Sequence, residues 1–144
     1  MSMKVIYSAA ASATGGRNEH THNRDGVVSV DRSIPKSMGG PGRPGATTPD
    51  DLFACGYAAC FGSACEFSAK TMLKLATSSI ATDCTVGIGA RPEGGFGLSV
   101  DLNARIDSRS QPDADALVAE AHEICPYSNA TCNNIPVTLS AIIS

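Results

Sequence analysis

The stretch of residues 52–65 constrains the fold most, because almost none of its side chains is polar. Thr48 is a good N-cap and Pro49 suits the first helical position, so the sequence predicts a helix that starts there and runs to about Leu75. A helix that is apolar on every side is buried on every side. The chain has 144 residues, which is enough for a core without disulfides, and we expect a single domain over residues 1–144.

Alternating apolar residues predict strands after this helix. The clearest are an antiparallel hairpin, whose second strand alternates strictly from Phe96 to Ile106, and a last strand at residues 135–143. A second helix at residues 110–125 lies between them and is stopped by Pro126. We therefore expect an α+β fold in which antiparallel strands, arranged like a meander, pack on the central helix. Earlier in the chain we expect a strand at 4–8, a turn or hairpin at 9–23, a strand marked by Val27, Val28 and Val30, and an extended loop at 34–48.

Composition excludes several classes of protein. The net charge is −3 and no basic stripe exists, which argues against a nucleic-acid partner. The longest near-apolar stretch, residues 52–64, is too short and too mixed to span a membrane. Residues 1–13 hold one lysine and lack the apolar core of a signal peptide. We therefore expect a cytoplasmic protein with no membrane partner.

Six cysteines are the chemically informative residues, at positions 55, 60, 65, 84, 125 and 132. In a reducing compartment such residues are packing residues, metal ligands or redox groups. Successive positions among the first three differ by about 140° around a helix, so those thiols point to three sides and cannot share one ion. His20 and His22 have no thiol partner near them in the sequence, and no Cys-X-X-Cys occurs. We therefore expect neither a metal nor another cofactor.

Two of the cysteines have the context of a redox pair. Cys60 is flanked by small residues that leave room for a pocket, and Cys125 ends the second helix, where a thiolate is disfavoured. If the two react with each other, Cys60 is the better attacking thiolate and Cys125 the better resolving thiol. Asp50 shares a side of the helix with Cys60 but lies roughly three turns away. It would therefore act on the thiol only through an intermediary, most simply an arginine.

Four segments of the chain resemble the organic hydroperoxide resistance proteins, within the superfamily of osmotically inducible protein C. The runs Gly56-Tyr57-Ala58-Ala59-Cys60-Phe61 and Cys125-Pro126-Tyr127-Ser128 are the most specific. The Cys-Pro-Tyr-Ser form favours this branch over the osmotically inducible sister branch, which stays as an alternative. The matching segments are residues 7–18, 38–45, 49–61 and 125–131.

The resemblance implies a peroxidase that protects against oxidative stress by reducing fatty acid or aryl hydroperoxides to alcohols. Cys60 would become a sulfenic acid and condense with Cys125 to a disulfide. A dithiol, such as a dihydrolipoyl group on a lipoylated protein, would restore both thiols. Arg17 would stabilise the thiolate, lower its pKa and polarise the peroxide, and Asp50 would orient Arg17. The implied fold is an intertwined homodimer, with curved antiparallel sheets around two central helices.

Two positions depart from the family pattern. Asp50 stands where the family usually has a glutamate, so we expect a longer contact with Arg17 or a shifted backbone. Cys132 stands where an arginine is common and is either a bystander or an alternative resolving thiol. Cys55, Cys65 and Cys84 are expected to be packing residues. Other functions compatible with the same residues are a non-enzymatic redox-sensing or apolar ligand-binding module, and a cysteine-based metal-binding protein.

Overall fold

The structure, a computed structural model, describes residues 3–74, 80–107 and 110–143. It divides the chain into two compact units, one that ends at Leu52 and one that starts at Phe53. The single domain over residues 1–144 stays a prediction.

The first unit contains a three-stranded antiparallel sheet. Strand β1 (Ala11–Ala13) pairs with β2 (Glu19–Asn23), and β2 pairs with β3 (Ser29–Arg32). The hairpin expected at residues 9–23 is confirmed, but the strand expected at 4–8 is wrong. Those residues have no regular structure, because the side chains that suggested a strand are exposed and lie beyond the first paired residue.

The buried Arg32 ties the hairpin to the rest of the first unit. Its Nη2 donates hydrogen bonds to the backbone oxygens of Thr14 at 2.6 Å and His20 at 2.7 Å. Nη2 of Arg43, in the following loop, donates to the Arg32 backbone oxygen at 2.8 Å. That loop is extended, as expected, apart from one 3₁₀ turn at Lys36–Met38. Arg32 therefore holds both ends of the β1–β2 connection.

Helix α1 (Pro49–Phe67) begins where the sequence predicts. The Thr48 hydroxyl accepts a hydrogen bond from the Asp51 backbone at 3.0 Å, and the Asp51 carboxylate accepts one from the Thr48 backbone at 3.2 Å. This reciprocal pair satisfies amides that the first helical turn leaves without a partner. The helix gives way to a π-helical turn at Ser68–Met72, and the end expected at Leu75 lies outside the described residues.

The second unit contains a mixed sheet in the order β4 (Ile80–Ala90), β5 (Phe96–Ile106), β6 (Val137–Ile143). The β4–β5 pair is the expected antiparallel hairpin. The β5–β6 pair is parallel, which corrects the expectation of antiparallel strands throughout. The reason is the connection: α2 (Gln111–Ile124) and α3 (Pro126–Thr131) form a crossover long enough to return the chain to the same end of the sheet. The α+β class is confirmed.

One face of α1 packs into the core of the second unit. The buried residues of this core include Tyr57, Phe61, Leu102, Ile106, Leu117 and Cys125. The opposite face, with Cys55, Ala59, Ser63 and Phe67 at four-residue spacing, is exposed. The burial on every side that the composition predicts is therefore not reached within one chain. None of the described helices is long and apolar enough to cross a membrane.

Two isoleucines on neighbouring strands test this core. Ile106 is fully buried and Ile142 is about half exposed. We expect Ile106→Ala to lower the free energy of unfolding by about 2–5 kcal/mol, because it leaves a cavity. Ile142→Ala removes the same atoms from a site open to water and should cost clearly less. Urea unfolding of both variants measures the difference, and equal losses would contradict the described core.

Candidate active site

The two cysteines singled out by the sequence lie together in the second unit. Cys60 is on α1 and Cys125 joins α2 to α3, and the Cys125 thiol is 3.4 Å from the Cys60 sulfur. A disulfide has a sulfur–sulfur distance of about 2.05 Å, so the two sulfurs are not bonded to each other. All six cysteines are free thiols. A small movement of either sulfur would bring the two to bonding distance.

The backbone of Cys125 is held by both helices that meet at it. Its amide donates to the Ala121 oxygen at 2.9 Å, and its own oxygen accepts from the Asn129 amide at 2.9 Å. Pro126 has no amide hydrogen, ends α2 as the sequence predicts, and is the first residue of α3. Cys125 thus closes one helix and opens the next, and the second of these roles was not predicted.

Burial dominates the electrostatics of Cys60. It raises the pKa of this thiol because the charged thiolate loses hydration, and the neighbouring Cys125 raises it further. A hydrogen bond from the Tyr127 backbone acts in the opposite direction and lowers the pKa. The resemblance implies that Arg17 lowers this pKa, whereas burial among apolar side chains raises it.

The other cysteines differ in access. Cys65 is fully buried, and burial, together with the charges of Cys125 and Glu66, raises its pKa to about 12. Burial also raises the pKa of Cys84, which is partly buried. Cys55 is exposed, so the expectation that it fills the core is wrong for a single chain. Cys132, which follows α3, is exposed as well.

Arg17 and Asp50 form an ion pair within the first unit. The distance from Arg17 Nη1 to Asp50 Oδ2 is 2.8 Å, with the two side chains 33% and 17% exposed. Arg17 follows a turn in which Gly15 has a φ of 69°, a conformation that favours glycine. The next residue, Asn18, accepts a hydrogen bond from the Ile34 amide at 3.0 Å. The shorter acid therefore reaches the arginine directly, without the lengthened contact expected for aspartate.

An apolar cavity lies beside Cys60. Its volume is about 410 Å³, within the range of small-molecule sites. Phe67 of α1 and Ile124 at the end of α2 are the largest side chains that line it. The lining residues are Cys60, Ser63, Ala64, Phe67, Ile124 and Pro126. A ligand in this cavity would contact the Cys60 side chain.

A buried hydrogen-bond network adjoins the cysteine pair, and sequence reasoning missed it. The Tyr57 hydroxyl lies 2.9 Å from Ser128 Oγ and 3.0 Å from Thr131 Oγ1. His122 Nδ1 lies 2.8 Å from the same Ser128 oxygen. Tyr57 and Ser128 stand in the two most specific motifs, but only the packing of α1 against α3 shows that they touch.

Among the described residues, no group of three or more histidine, cysteine, aspartate or glutamate side chains could hold a metal ion.

Residues 40–140 match the family model described as OsmC-like protein. The chain is 44% identical over 138 residues to an organic hydroperoxide resistance protein of Xanthomonas axonopodis pv. citri, covering 95% of each chain. It is 35% identical over 134 residues to organic hydroperoxide resistance protein OhrA of Bacillus subtilis, covering 93% of this chain and 94% of that one.

Solved structures agree with these relatives. An organic hydroperoxide resistance protein from Elizabethkingia anophelis superposes with a TM-score of 0.91 at 42% identity, covering 99% of this chain and 100% of that one. One from Legionella pneumophila gives a TM-score of 0.89 at 45% identity, covering 96% and 99%. The chain therefore belongs to the organic hydroperoxide resistance proteins of the OsmC-like family.

Proposed function

We propose that this protein is a thiol-dependent peroxidase that reduces organic hydroperoxides to alcohols. The names of its relatives support a role in oxidative stress defence. The observation that carries the proposal is the 3.4 Å contact between Cys60 and Cys125, with Cys60 at the wall of an apolar cavity. Such a site can accept an apolar oxidant, and its two oxidised cysteines can then form a disulfide.

Cys60 makes the first attack in this proposal. Its thiolate displaces the alcohol from the distal oxygen of the hydroperoxide, so the O–O bond breaks and Cys60 becomes a sulfenic acid. The alkoxide that leaves takes up a proton and departs as the alcohol. Access supports this assignment, since Cys60 lines the cavity and is partly exposed, whereas Cys125 is fully buried.

Cys125 resolves the sulfenic acid. Its sulfur attacks the Cys60 sulfur, a disulfide forms, and the hydroxyl group leaves as water with the Cys125 proton. A dithiol then reduces the disulfide by two exchange steps and is itself oxidised to a cyclic disulfide. We propose the dihydrolipoyl group of a lipoylated protein as this reductant, and the cytoplasm, where thiols are kept reduced, as the compartment.

Arg17 and Asp50 are the proposed polar partners of the reaction. A guanidinium stabilises a thiolate and the oxygen of a leaving alkoxide. The 2.8 Å ion pair with Asp50 fixes the orientation of Arg17 in the reduced protein. The residue roles follow from the resemblance of residues 7–18 and 49–61 to the family.

We also propose that the protein is a homodimer. The exposed stripe of Cys55, Ala59, Ser63 and Phe67 leaves one face of α1 uncovered in the single chain. The small side chains of Cys55, Ala59 and Ser63 allow a second helix to approach closely, and burial of the stripe with Phe67 would complete the core that the composition predicts.

The division of roles between the two cysteines is tested by serine variants. Cys60→Ser should abolish the reduction of cumene hydroperoxide by dihydrolipoamide, because the attacking thiol is gone. Cys125→Ser should still consume about one equivalent of peroxide per chain but should not turn over with the dithiol. Peroxide consumption measures both.

Cys132→Ser is the matched control and should keep turnover, because Cys132 is exposed and follows α3 rather than lining the cavity. Full activity of Cys60→Ser would contradict the proposal. Loss of turnover in Cys132→Ser would make Cys132 the resolving thiol in place of Cys125.

The role of the ion pair is tested at Asp50. Asp50→Asn removes the charge that orients Arg17, and we expect kcat/KM for the hydroperoxide to fall about tenfold or more. Asp50→Glu keeps a carboxylate and should retain most of the activity. Asp51→Asn, in the same helical turn, weakens the cap at Thr48 and should lower stability without this loss in kcat/KM. Equal activity of Asp50→Asn and the unchanged protein would exclude the proposed role.

The raised pKa of Cys65 predicts that this thiol takes no part in the proposed reaction. Because its pKa is raised to about 12, it stays protonated at pH 8 and should resist iodoacetamide in the folded protein. The exposed Cys132 should be alkylated much faster. Mass spectrometry of peptides after timed labelling gives both rates. Rapid labelling of Cys65 in the native state would show that the described burial is incorrect.

A further inference from the structure

The buried network beside the cysteine pair has a fourth hydrogen bond, which sets the direction of the others. Thr131 Oγ1 donates to the Ser128 backbone oxygen at 3.1 Å. A carbonyl oxygen only accepts, so the single hydroxyl hydrogen of Thr131 is committed to this bond. The Tyr57 hydroxyl must therefore supply the hydrogen of its 3.0 Å contact with Thr131 Oγ1.

The remaining hydrogens follow by counting. Tyr57 has donated its only hydroxyl hydrogen, so Ser128 must donate in the 2.9 Å bond between them. Ser128 then has no hydrogen left for the 2.8 Å contact with His122, and His122 Nδ1 must donate there. By this count three bonds lead from His122 through Ser128 and Tyr57 to Thr131, and the fourth leads from Thr131 to the Ser128 backbone oxygen. We call these four residues, His122, Ser128, Tyr57 and Thr131, the relay.

The relay connects α1, which carries Cys60, with the two helices that meet at Cys125. Tyr57 lies three residues before Cys60 on α1, and Ser128 lies three residues after Cys125 on α3. The side chains of Tyr57 and Ser128 are fully buried. Hydroxyl groups in such surroundings are costly to leave unpaired, so their bonds hold the two helices in one register.

Aromatic packing supports the same junction. Tyr127 stacks on Phe53 with ring centroids 6.1 Å apart and lies 5.7 Å from the Tyr57 ring. A Cβ at Gly56 would lie 3.2 Å from the Tyr127 hydroxyl, so the absence of a side chain there admits the ring. The rings fix the spacing of α1 and α3, and the relay fixes their relative position along the helix axes.

We propose that the relay positions Cys125 for its reaction with the Cys60 sulfenic acid, and that His122 is the terminal donor that holds it in place. His122, Ser128 and Tyr57 are then positioning residues, since they act through Cys125 and do not touch the peroxide. The relay neither gains nor loses a proton in the step, which forms the disulfide and releases water. This inference rests on the proposed function.

The tautomer of His122 is the first test, and it needs no substrate. In the reduced protein labelled with ¹⁵N-histidine, long-range ¹H–¹⁵N spectra recorded where the ring is neutral should show the hydrogen of His122 on Nδ1. A hydrogen on Nε2 alone would overturn the inference, because His122 Nδ1 could then not donate to Ser128 Oγ.

The second test separates the two chemical steps. We expect Ser128→Ala to slow disulfide formation about tenfold, because it breaks the relay at its centre. The first oxidation of Cys60 should keep its rate, and the sulfenic acid should accumulate and be trapped by dimedone. Ser140→Ala removes an exposed hydroxyl from β6 and is the matched control. Acid quenching, alkylation and mass spectrometry measure both steps.

Substitutions at His122 provide the rescue experiment. His122→Leu removes the donor and should slow disulfide formation, whereas His122→Asn places an amide N–H near the position of Nδ1 and should restore most of the rate. Equal losses in the two variants would overturn the assignment of His122 as the donor.

Diamide distinguishes failure of this inference from failure of the proposed function. This oxidant joins two thiols directly and is reduced to a hydrazine, so it forms the Cys60–Cys125 disulfide without a peroxide. If the unchanged protein reduces no hydroperoxide, the proposed function fails, and slower disulfide formation in Ser128→Ala with diamide would still support the relay. Disulfide formation at an unchanged rate with both oxidants would overturn it.

Discussion

The approach of the α2–α3 junction to α1 is the contact on which the proposed chemistry of the second unit depends. It brings two sulfurs that are 65 residues apart in sequence to within 3.4 Å. Neither helix achieves this alone, because Cys125 is held by backbone bonds from both sides and Cys60 by the packing of α1. The proximity of the two sulfurs is therefore a property of tertiary packing rather than of either motif.

Cys60 and Cys125 differ in their access to solvent, and this difference sets the order of the proposed reaction steps. Cys60 borders an apolar cavity, whereas Cys125 has no exposed surface. A hydroperoxide can therefore meet Cys60 first. The same apolar surroundings raise the pKa of Cys60, so reactivity requires groups that stabilise its thiolate. The Tyr127 backbone is one such group, and it comes from the helix that Cys125 starts.

Local features of the fold were predictable because they depend on neighbouring residues. The Thr48 cap and the break at Pro126 are set within three or four residues. The pairing of the cysteines came from a family resemblance, and helix-end electrostatics only divided the roles between them. The sulfur contact itself needed the tertiary structure.

Features that depend on distant residues were missed or wrong. The parallel pairing of β5 and β6 is decided by the path of a crossover, which alternation of apolar residues does not record. The apolar residues at 5–7 also suggested a strand at residues 4–8, where strand pairing has not yet begun. The relay joins Tyr57 to Ser128 and Thr131, which are more than 70 residues away in sequence. The positions of hydroxyl residues in a sequence show no periodicity from which such a contact could be predicted.

The sequence separation of the two sulfurs links the redox state of the protein to its resistance to unfolding. A disulfide between Cys60 and Cys125 closes a loop of 65 residues. In the chain-entropy model such a cross-link restricts the unfolded chain and stabilises the folded protein by about 4 kcal/mol. The proposed cycle would therefore alternate between a more stable oxidised fold and a less stable reduced one. The oxidised form would therefore resist unfolding better than the reduced form until a dithiol reduces it.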